Sequence, residues 1–167
     1  KPYAYYTQSI YSEDPMVKMV VVDEEIADSL NNSKNWQTKW FGAPLVNHWT
    51  FPLDSDNKHL VVFTNCDQVE LQLNSEIVGS LNRSDFEDEV IQTDLAYEPG
   101  ILVATANSLG KNGKSVTVSD TLRTAGAPTM IMMNADKLIL VADGQDVMHI
   151  ETSVRDSAGT MYPTADH

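Results

Sequence analysis

Short segments in which apolar and polar residues alternate recur through most of the chain, with turn-forming residues between them. In the clearest one, Val69, Leu71 and Leu73 alternate with Glu70 and Gln72, which is the pattern of a strand buried on one face. Seven or so short strands at regular spacing predict an all-β fold, an immunoglobulin-like β-sandwich. The segments expected to form them are 16–22, 46–51, 60–63, 69–73, 77–79, 89–95, 101–107 and 115–121.

A second domain is expected to begin after the small-residue linker 124–128. A sandwich of this type takes about 100 residues, so residues 16–124 are assigned to the first one. Too few residues follow for another, and residues 125–167 are therefore expected to be the N-terminal part of a second immunoglobulin-like domain, a truncated β-sandwich. Its predicted strands are 130–133, 138–142 and 147–154.

The start of the chain has a different pattern. Tyr3, Tyr6 and Ile10 recur at near-helical spacing, which predicts a short helix over 3–12 with one apolar face, ending before Pro15. Residues 1–15 are therefore expected to be a helix and a linker that precede the sandwich.

The charge of the chain limits its partners. The 24 acidic and 11 basic residues give a formal net charge of -13, which disfavours binding to nucleic acid or to an anionic membrane. The longest apolar run, 16–22, is far shorter than the roughly 20 residues that cross a bilayer. No nucleic acid and no membrane partner is predicted.

Few residues are candidates for chemistry. The single cysteine, Cys66, lies in a strand pattern and is expected in the core. The histidines lack metal-ligand spacing, and the acidic cluster near residue 87 and the turn at 54–57 are interpreted as solvated loops, so no metal and no cofactor is predicted. The residues concerned are His48, His59, His149 and His167, and Asp85, Glu87, Asp88 and Glu89.

Aromatic residues are the remaining candidates, because flat rings stack on the apolar faces of sugars. Trp49 lies in a strand pattern and is expected in the core. Trp36, Trp40 and Phe41 lie in a long polar excursion. They are either carbohydrate contacts or a satellite cluster that covers the sandwich.

Several motifs resemble one known domain. Residues 62–74, with the sequence VFTNCDQVELQLN, resemble the accessory domain that follows the catalytic barrel in many family 2 β-galactosidases, and three further motifs follow in the family's order. The resemblance implies that residues 1–15 are similar to the final barrel helix with its linker. At Ser75 the family commonly has Gly, so a different turn type is expected there. The further motifs are 97–102, 120–126 and 142–146.

The resemblance implies a function. The chain is predicted to be a non-catalytic accessory module of a glycoside hydrolase in carbohydrate degradation, with the catalytic barrel of the same full-length chain as its partner. The catalytic glutamates of such enzymes lie in the barrel, whose roughly 250 residues do not fit here, so no catalytic residue is assigned. The resemblance also implies a periplasmic or extracellular location for the full-length enzyme.

Two other functions stay open. One is a carbohydrate-binding module, and the other is a domain of a bacterial adhesin-like surface protein, because similar tandem domains occur there. Residues 129–167 are also expected to self-associate, since a few strands without an opposing sheet leave apolar residues and strand edges uncovered.

Overall fold

The computed structural model describes residues 3–24, 44–53, 56–109 and 113–163. It divides into two compact units, Lys1–Arg123 and Thr124–His167. Strands dominate both units and all the sheets are antiparallel, so the predicted all-β fold is confirmed. No helix in the part of the chain that the structure describes is long and apolar enough to span a membrane.

The first unit consists of one helix and eight strands in the described ranges. Two four-stranded sheets form, with strand orders β2-β1-β3-β6 and β5-β4-β7-β8. Two short 3₁₀ turns, Arg83–Asp85 and Glu87–Glu89, lie between β5 and β6. The elements are α1 (Tyr3–Tyr11), β1 (Val17–Val22), β2 (Leu45–Val46), β3 (Lys58–Thr64), β4 (Gln68–Leu73), β5 (Glu76–Asn82), β6 (Ile91–Leu95), β7 (Ile101–Leu109) and β8 (Ser115–Arg123).

The core lies between the two sheets, because alternate residues of the strands point inward. Cys66 and Trp49 are both fully buried in it, which confirms the two sequence predictions. Trp49 Nε1 donates a hydrogen bond to the carbonyl of Glu98 at 2.8 Å, so its polar atom is satisfied. The main buried members are Met19, Val21, Leu60, Val62, Val69, Leu71, Ile91, Leu102 and Ala104.

The strand predicted over 46–51 is wrong beyond Val46. Only Leu45–Val46 pairs with a neighbouring strand. Two of the following backbone nitrogens donate to side chains instead, Thr50 N to His48 Nδ1 at 3.3 Å and Phe51 N to Tyr97 Oη at 3.1 Å. The backbone of Thr50 and Phe51 is therefore held by aromatic side chains that pack around Trp49 and not by hydrogen bonds to a neighbouring strand.

The expected change of turn type at Ser75 is also wrong. Asn74 and Ser75 form a two-residue loop between β4 and β5, and both have positive φ, 51° and 73°. Positive φ at both central residues is the type I′ hairpin turn, which matches the right-handed twist of the flanking strands. The serine adopts the conformation that glycine would adopt, at a cost in backbone strain.

The second unit has two strands in its described residues, β9 (Pro128–Ala135) and β10 (Ile150–Asp156). The strand predicted over 138–142 does not form. Val141 N donates to Asp146 Oδ2 at 2.8 Å. The Asp143 carboxylate accepts hydrogen bonds from the backbone nitrogens of Gln145 and Asp146. Side-chain acceptors thus replace a partner strand, and the segment folds as a series of turns.

Asp156 organises the end of the second unit. Its carboxylate is mostly buried and accepts hydrogen bonds from the backbone nitrogens of Gly126, Ala158 and Thr160 at 2.8 to 2.9 Å. The bond from Gly126 and those from Thr160 and Ala158 lower the pKa of Asp156 despite its partial desolvation. The carboxylate therefore stays ionised and ties the start of the unit to the turn after β10.

Candidate functional site

The predicted carbohydrate contacts Trp36, Trp40 and Phe41 lie outside the described residues. Their role stays a prediction. The candidate site is instead the place where helix α1 joins the sandwich, because the longest of the family motifs, 62–74, lies there.

Helix α1 packs on the outer face of the sheet that contains β1 and β3. Tyr5 contacts a small apolar cluster on that face, and the ring of Tyr6 lies edge-on to Phe63 with centroids 6.1 Å apart. Ser9 is 7% exposed, whereas Ile10 is 53% exposed. The cluster consists of Met16, Val20, Val61 and Phe63, with Val22, Leu45 and Val90 at its margin.

The helix face expected from the sequence is therefore partly wrong. Tyr6 does contact the sheet, but Ile10 points largely to solvent and the inward positions are Tyr5 and Ser9. Ser9 tolerates burial because its hydroxyl donates to the carbonyl of Tyr6 at 2.8 Å. Apolar spacing cannot reveal an inward serine, which is why the predicted face is rotated. The side chain of Tyr3 lies outside the described set.

Asn65 fixes the connection between α1 and β1. Its Nδ2 donates to the carbonyls of Ser12 and Asp14 at 3.0 and 2.9 Å, and its Oδ1 accepts from Met16 N at 2.8 Å. The neighbouring Thr64 Oγ1 donates to the carbonyl of Met16 at 2.7 Å. We call residues 12–16 together with Thr64 and Asn65 the joint.

The joint is built at the turn between β3 and β4, where Thr64 ends β3 after the apolar run 60–63 and Asn65 follows the strand. Thr64 is 1% exposed, and its hydroxyl also accepts a hydrogen bond from Cys66 N at 3.0 Å. A buried hydroxyl that donates to one segment and accepts from another satisfies both of its roles. The turn and the connection are thereby held as one piece.

A second tie joins the edges of the two sheets. Asp120 on β8 accepts hydrogen bonds from Met19 N at 2.8 Å and from Lys18 Nζ at 2.6 Å, both on β1. The Lys18 ammonium also lies 5.5 Å from the centre of the Tyr5 ring, within the range of a cation–π contact. Asp120 thus connects the sheet that contains β8 to the sheet that contains β1, and Lys18 extends this connection to Tyr5 of the helix.

The other matched motifs also tie backbone segments together. Asn74 Nδ2 donates to the carbonyl of Pro99 at 3.1 Å, and Asn74 Oδ1 accepts from Ile101 N at 3.0 Å. A Cβ at position 100 would overlap the Asn74 amide, so Gly100 is required for this close approach. In the second unit, the Asp146 carboxylate pairs with Lys137.

Two histidines of the described residues each pair with one carboxylate. His59 Nδ1 lies 2.7 Å from Asp94 Oδ1, and His149 Nδ1 lies 3.1 Å from Asp136 Oδ2. Burial lowers the pKa of His48 against the opposing charge of Asp23. Across 3–24, 44–53, 56–109 and 113–163, no three His, Cys, Asp or Glu side chains are grouped to hold a metal ion. His167 lies outside these ranges.

The acidic cluster interpreted as a solvated loop falls on the two 3₁₀ turns. Arg83 pairs with Glu89 at 2.9 Å, and Asn82 Nδ2 donates to Asp85 Oδ2 at 3.0 Å. Asp88 is exposed, the side chain of Glu87 is outside the described set, and the turn at 54–57 is described only at its last two residues.

Asn65 and Asp120 were not among the candidate residues predicted from the sequence. Both are polar residues in the family motifs. Asn65 directly follows β3, and Asp120 lies within β8. A polar residue within a family motif is the one signal that the sequence offers, because the hydrogen-bond partners of Asn65 and Asp120 lie 49 to 102 residues away in the chain.

Comparison with known proteins supports the resemblance seen in the motifs. Residues 56–117 match the family model described as a domain of unknown function (DUF4982). A β-galactosidase from Bacteroides ovatus is 27% identical over 135 residues, which is 79% of this chain and 15% of that protein. A β-galactosidase from Thermoanaerobacter pseudethanolicus is 30% identical over 125 residues, 68% of this chain and 17% of that protein.

A solved structure agrees with these matches. A glycosyl hydrolase family 2 member from Bacteroides cellulosilyticus is 31% identical, with a TM-score of 0.80 over 96% of this chain and 20% of that one. The predicted similarity to the DUF4982 accessory region of family 2 glycoside hydrolases is confirmed. The chain spans about a sixth of the length of the curated relatives it matches.

Proposed function

We propose that this chain is a non-catalytic accessory module of a β-galactosidase-like family 2 glycoside hydrolase and serves carbohydrate degradation as a structural part of that enzyme. In this proposal residues 16–124 form the accessory sandwich. Residues 1–15 are the end of the preceding catalytic barrel with its linker, and residues 125–167 are the first part of a second sandwich. The barrel of the same full-length chain is the principal partner.

The joint is the observation that carries this proposal. Asn65 directs both ends of its amide to the backbone of residues 12–16, and Thr64 adds a further bond to the same connection. Side chains used in this way position one backbone segment against another. A module whose task is to hold a preceding domain in a defined orientation needs such a rigid connection.

The matched motifs support the same function. Asn74, Asp120 and Gly100 shape turns or tie sheet edges. A retaining glycosidase needs two carboxyl groups about 5 Å apart that flank the substrate bond. In the proposed enzyme those groups belong to the barrel.

An activity assay tests the non-catalytic proposal directly. The purified chain is incubated with aryl galactosides, glucuronides and mannosides, and no turnover is expected. Turnover that a single Glu or Asp substitution abolishes would overturn the proposal, because it would place the catalytic carboxylates within this chain.

Carbohydrate binding is the second candidate, and it rests on Trp36, Trp40 and Phe41. Flat aromatic rings offer stacking surfaces for sugars without any need for charge. Calorimetry with galactosides and plant or host glycans measures this function. Trp36→Ala, Trp40→Ala and Phe41→Ala should each weaken any binding seen, and binding that none of them changes would rule out these residues as the contacts.

The second unit motivates a proposal about association. Its two-stranded sheet exposes Ile131 and Met133 by 71% and 65%, and Leu138 in the following turns by 93%. Sheets of two strands are marginal in water unless another surface covers them. Residues 129–167 are therefore proposed to self-associate in this chain through strand edges or strand exchange.

The full-length enzyme is proposed to act in the periplasm or outside the cell. This location follows from the family resemblance. Fractionation of cells that express the full-length protein tests it, and recovery of the enzyme only in the cytoplasm would contradict it.

A further inference from the structure

Within this chain, helix α1 depends on the sandwich for its stability. It has nine residues, and isolated helices below about 12 to 15 residues are marginal in water. Its first turn contains no acidic residue and its last turn no basic one, so no charge complements the helix dipole. Tyr11 is 79% exposed, which leaves only part of the helix surface in contact with the sheet.

The sandwich binds the C-terminal end of α1 through the side chain of Asn65. Ser12 N donates to the carbonyl of Gln8 at 2.9 Å, so the helical hydrogen-bond ladder extends to Ser12. The carbonyl of Ser12 then accepts from Asn65 Nδ2 at 3.0 Å. Carbonyls at a helix C-terminus lack a partner within the helix. Asn65 supplies one from a turn 53 residues away in the sequence.

We infer that Asn65 is an order switch for α1, so that the helix folds when the joint closes and frays when the joint opens. The contacts of Tyr5 and Tyr6 with the sheet add stability only once the backbone is fixed at residues 12–16. The joint therefore couples the order of the helix to the β3–β4 turn in an all-or-none manner. This inference goes beyond the proposed function and concerns α1 within this chain.

Hydrogen exchange with N65D tests the switch. The substitution keeps the size of the side chain but places a carboxylate against the carbonyls of Ser12 and Asp14, where a donor is needed. At pH of about 7, amides of residues 7–12, which donate within the helix, should exchange at least about ten-fold faster, while those of β4 and β7 change by less than about two-fold.

N107D is the matched control. Asn107 Oδ1 accepts a hydrogen bond from Thr117 Oγ1 at 2.6 Å, and a carboxylate retains that acceptor. Exchange in residues 7–12 should equal that of the unsubstituted chain. The same chemical change is thus compared at a site that needs a donor and at one that needs an acceptor.

Two outcomes would each overturn the inference. One is unchanged protection of α1 at pH of about 7, and the other is an equal loss of protection in β4 and β7.

Discussion

The carboxylate of Asp120 accepts a hydrogen bond from the backbone nitrogen of Met19 at 2.8 Å, across the open edge of the sandwich. In the described residues β2 pairs with β1 only at Val21 and Val22, so none of the described strands lies beside β1 at Met19 on this side. An uncovered edge is a place where another chain can pair. Asp120 closes this edge with a side chain, and Lys18 balances its charge at 2.6 Å.

Removal of this carboxylate should destabilise the first unit. Asp120→Ala leaves the Met19 N–H without its acceptor and Lys18 without its counter-ion. The side chains of Lys18 and Asp120 are only 28% and 11% exposed. We expect a loss of about 2 to 4 kcal/mol in the free energy of unfolding, measured by urea titration with Trp fluorescence.

Ser119→Ala is the matched control for that substitution. Ser119 is the exposed neighbour of Asp120 on the same strand, and its replacement should change the free energy of unfolding by less than about 0.5 kcal/mol. Equal effects of the two substitutions would show that the edge contact contributes nothing specific.

Replacement of Ser75 by glycine should stabilise the chain. Ser75 has a φ of 73°, a conformation that glycine adopts without the penalty of a Cβ. We expect Ser75→Gly to raise the free energy of unfolding by about 0.5 to 1 kcal/mol. Ser80→Gly, at an exposed position inside β5, should lower it by a similar amount, and stabilisation by both would refute the turn explanation.

The His59–Asp94 pair predicts a small pH dependence. Partial burial lowers the pKa of His59, but the hydrogen bonds to Asp94 and Gln92 and the charges of Asp94 and Glu24 together raise it above 6.5. A raised folded-state pKa means that the stabilisation is fully present below the unfolded-state value of 6.5 and is lost as the pH rises through the folded-state pKa.

Exposure limits the size of this effect. The His59 side chain is 35% exposed and that of Asp94 is 65% exposed, so the contribution should stay below about 1 kcal/mol. Chemical unfolding between pH of about 5.5 and 8.5 measures it as the difference between the unsubstituted chain and His59→Gln. A difference that grows as the pH rises would have the wrong sign for this account.

Self-association through the second unit is open to a direct comparison. Light scattering is measured on the full chain and on a fragment that ends at Thr124, at matched high concentrations. We expect the full chain to form dimers or larger species and the fragment to remain monomeric. Monomers in both samples would show that residues 129–167 do not associate.

Local patterns were sufficient to predict most of the sandwich. The segments 60–63, 69–73 and 101–107 lie within β3, β4 and β7. In 69–73 the period-two alternation records which face of the strand is buried, whereas 60–63 is a continuous apolar run that is buried on both faces. Trp49 and Cys66 were placed correctly in the core, although neither lies in a strand. Where side-chain acceptors replace a partner strand, as at Asp146 in the second unit, alternation predicted a strand that does not form.

Neither the joint nor the contact of Asp120 with β1 could be predicted from the hydropathy pattern. The bonds of Asn65 and Asp120 connect residues 49 to 102 positions apart, and hydropathy carries no information about such partners. A polar residue at the end of a strand is equally consistent with an ordinary solvated turn. The inward face of α1 was missed because a buried serine satisfied by its own helix leaves no apolar signature.

The most direct test of the accessory-module account is N65D in the proposed full-length enzyme. The account predicts that kcat and KM for its aryl glycoside substrate at 25 °C stay within about three-fold of the unsubstituted enzyme, while the temperature of half-inactivation falls by about 2 to 8 °C. A loss of kcat of about 100-fold or more with an unchanged inactivation temperature would contradict it, because Asn65 would then serve the chemistry and not the joint.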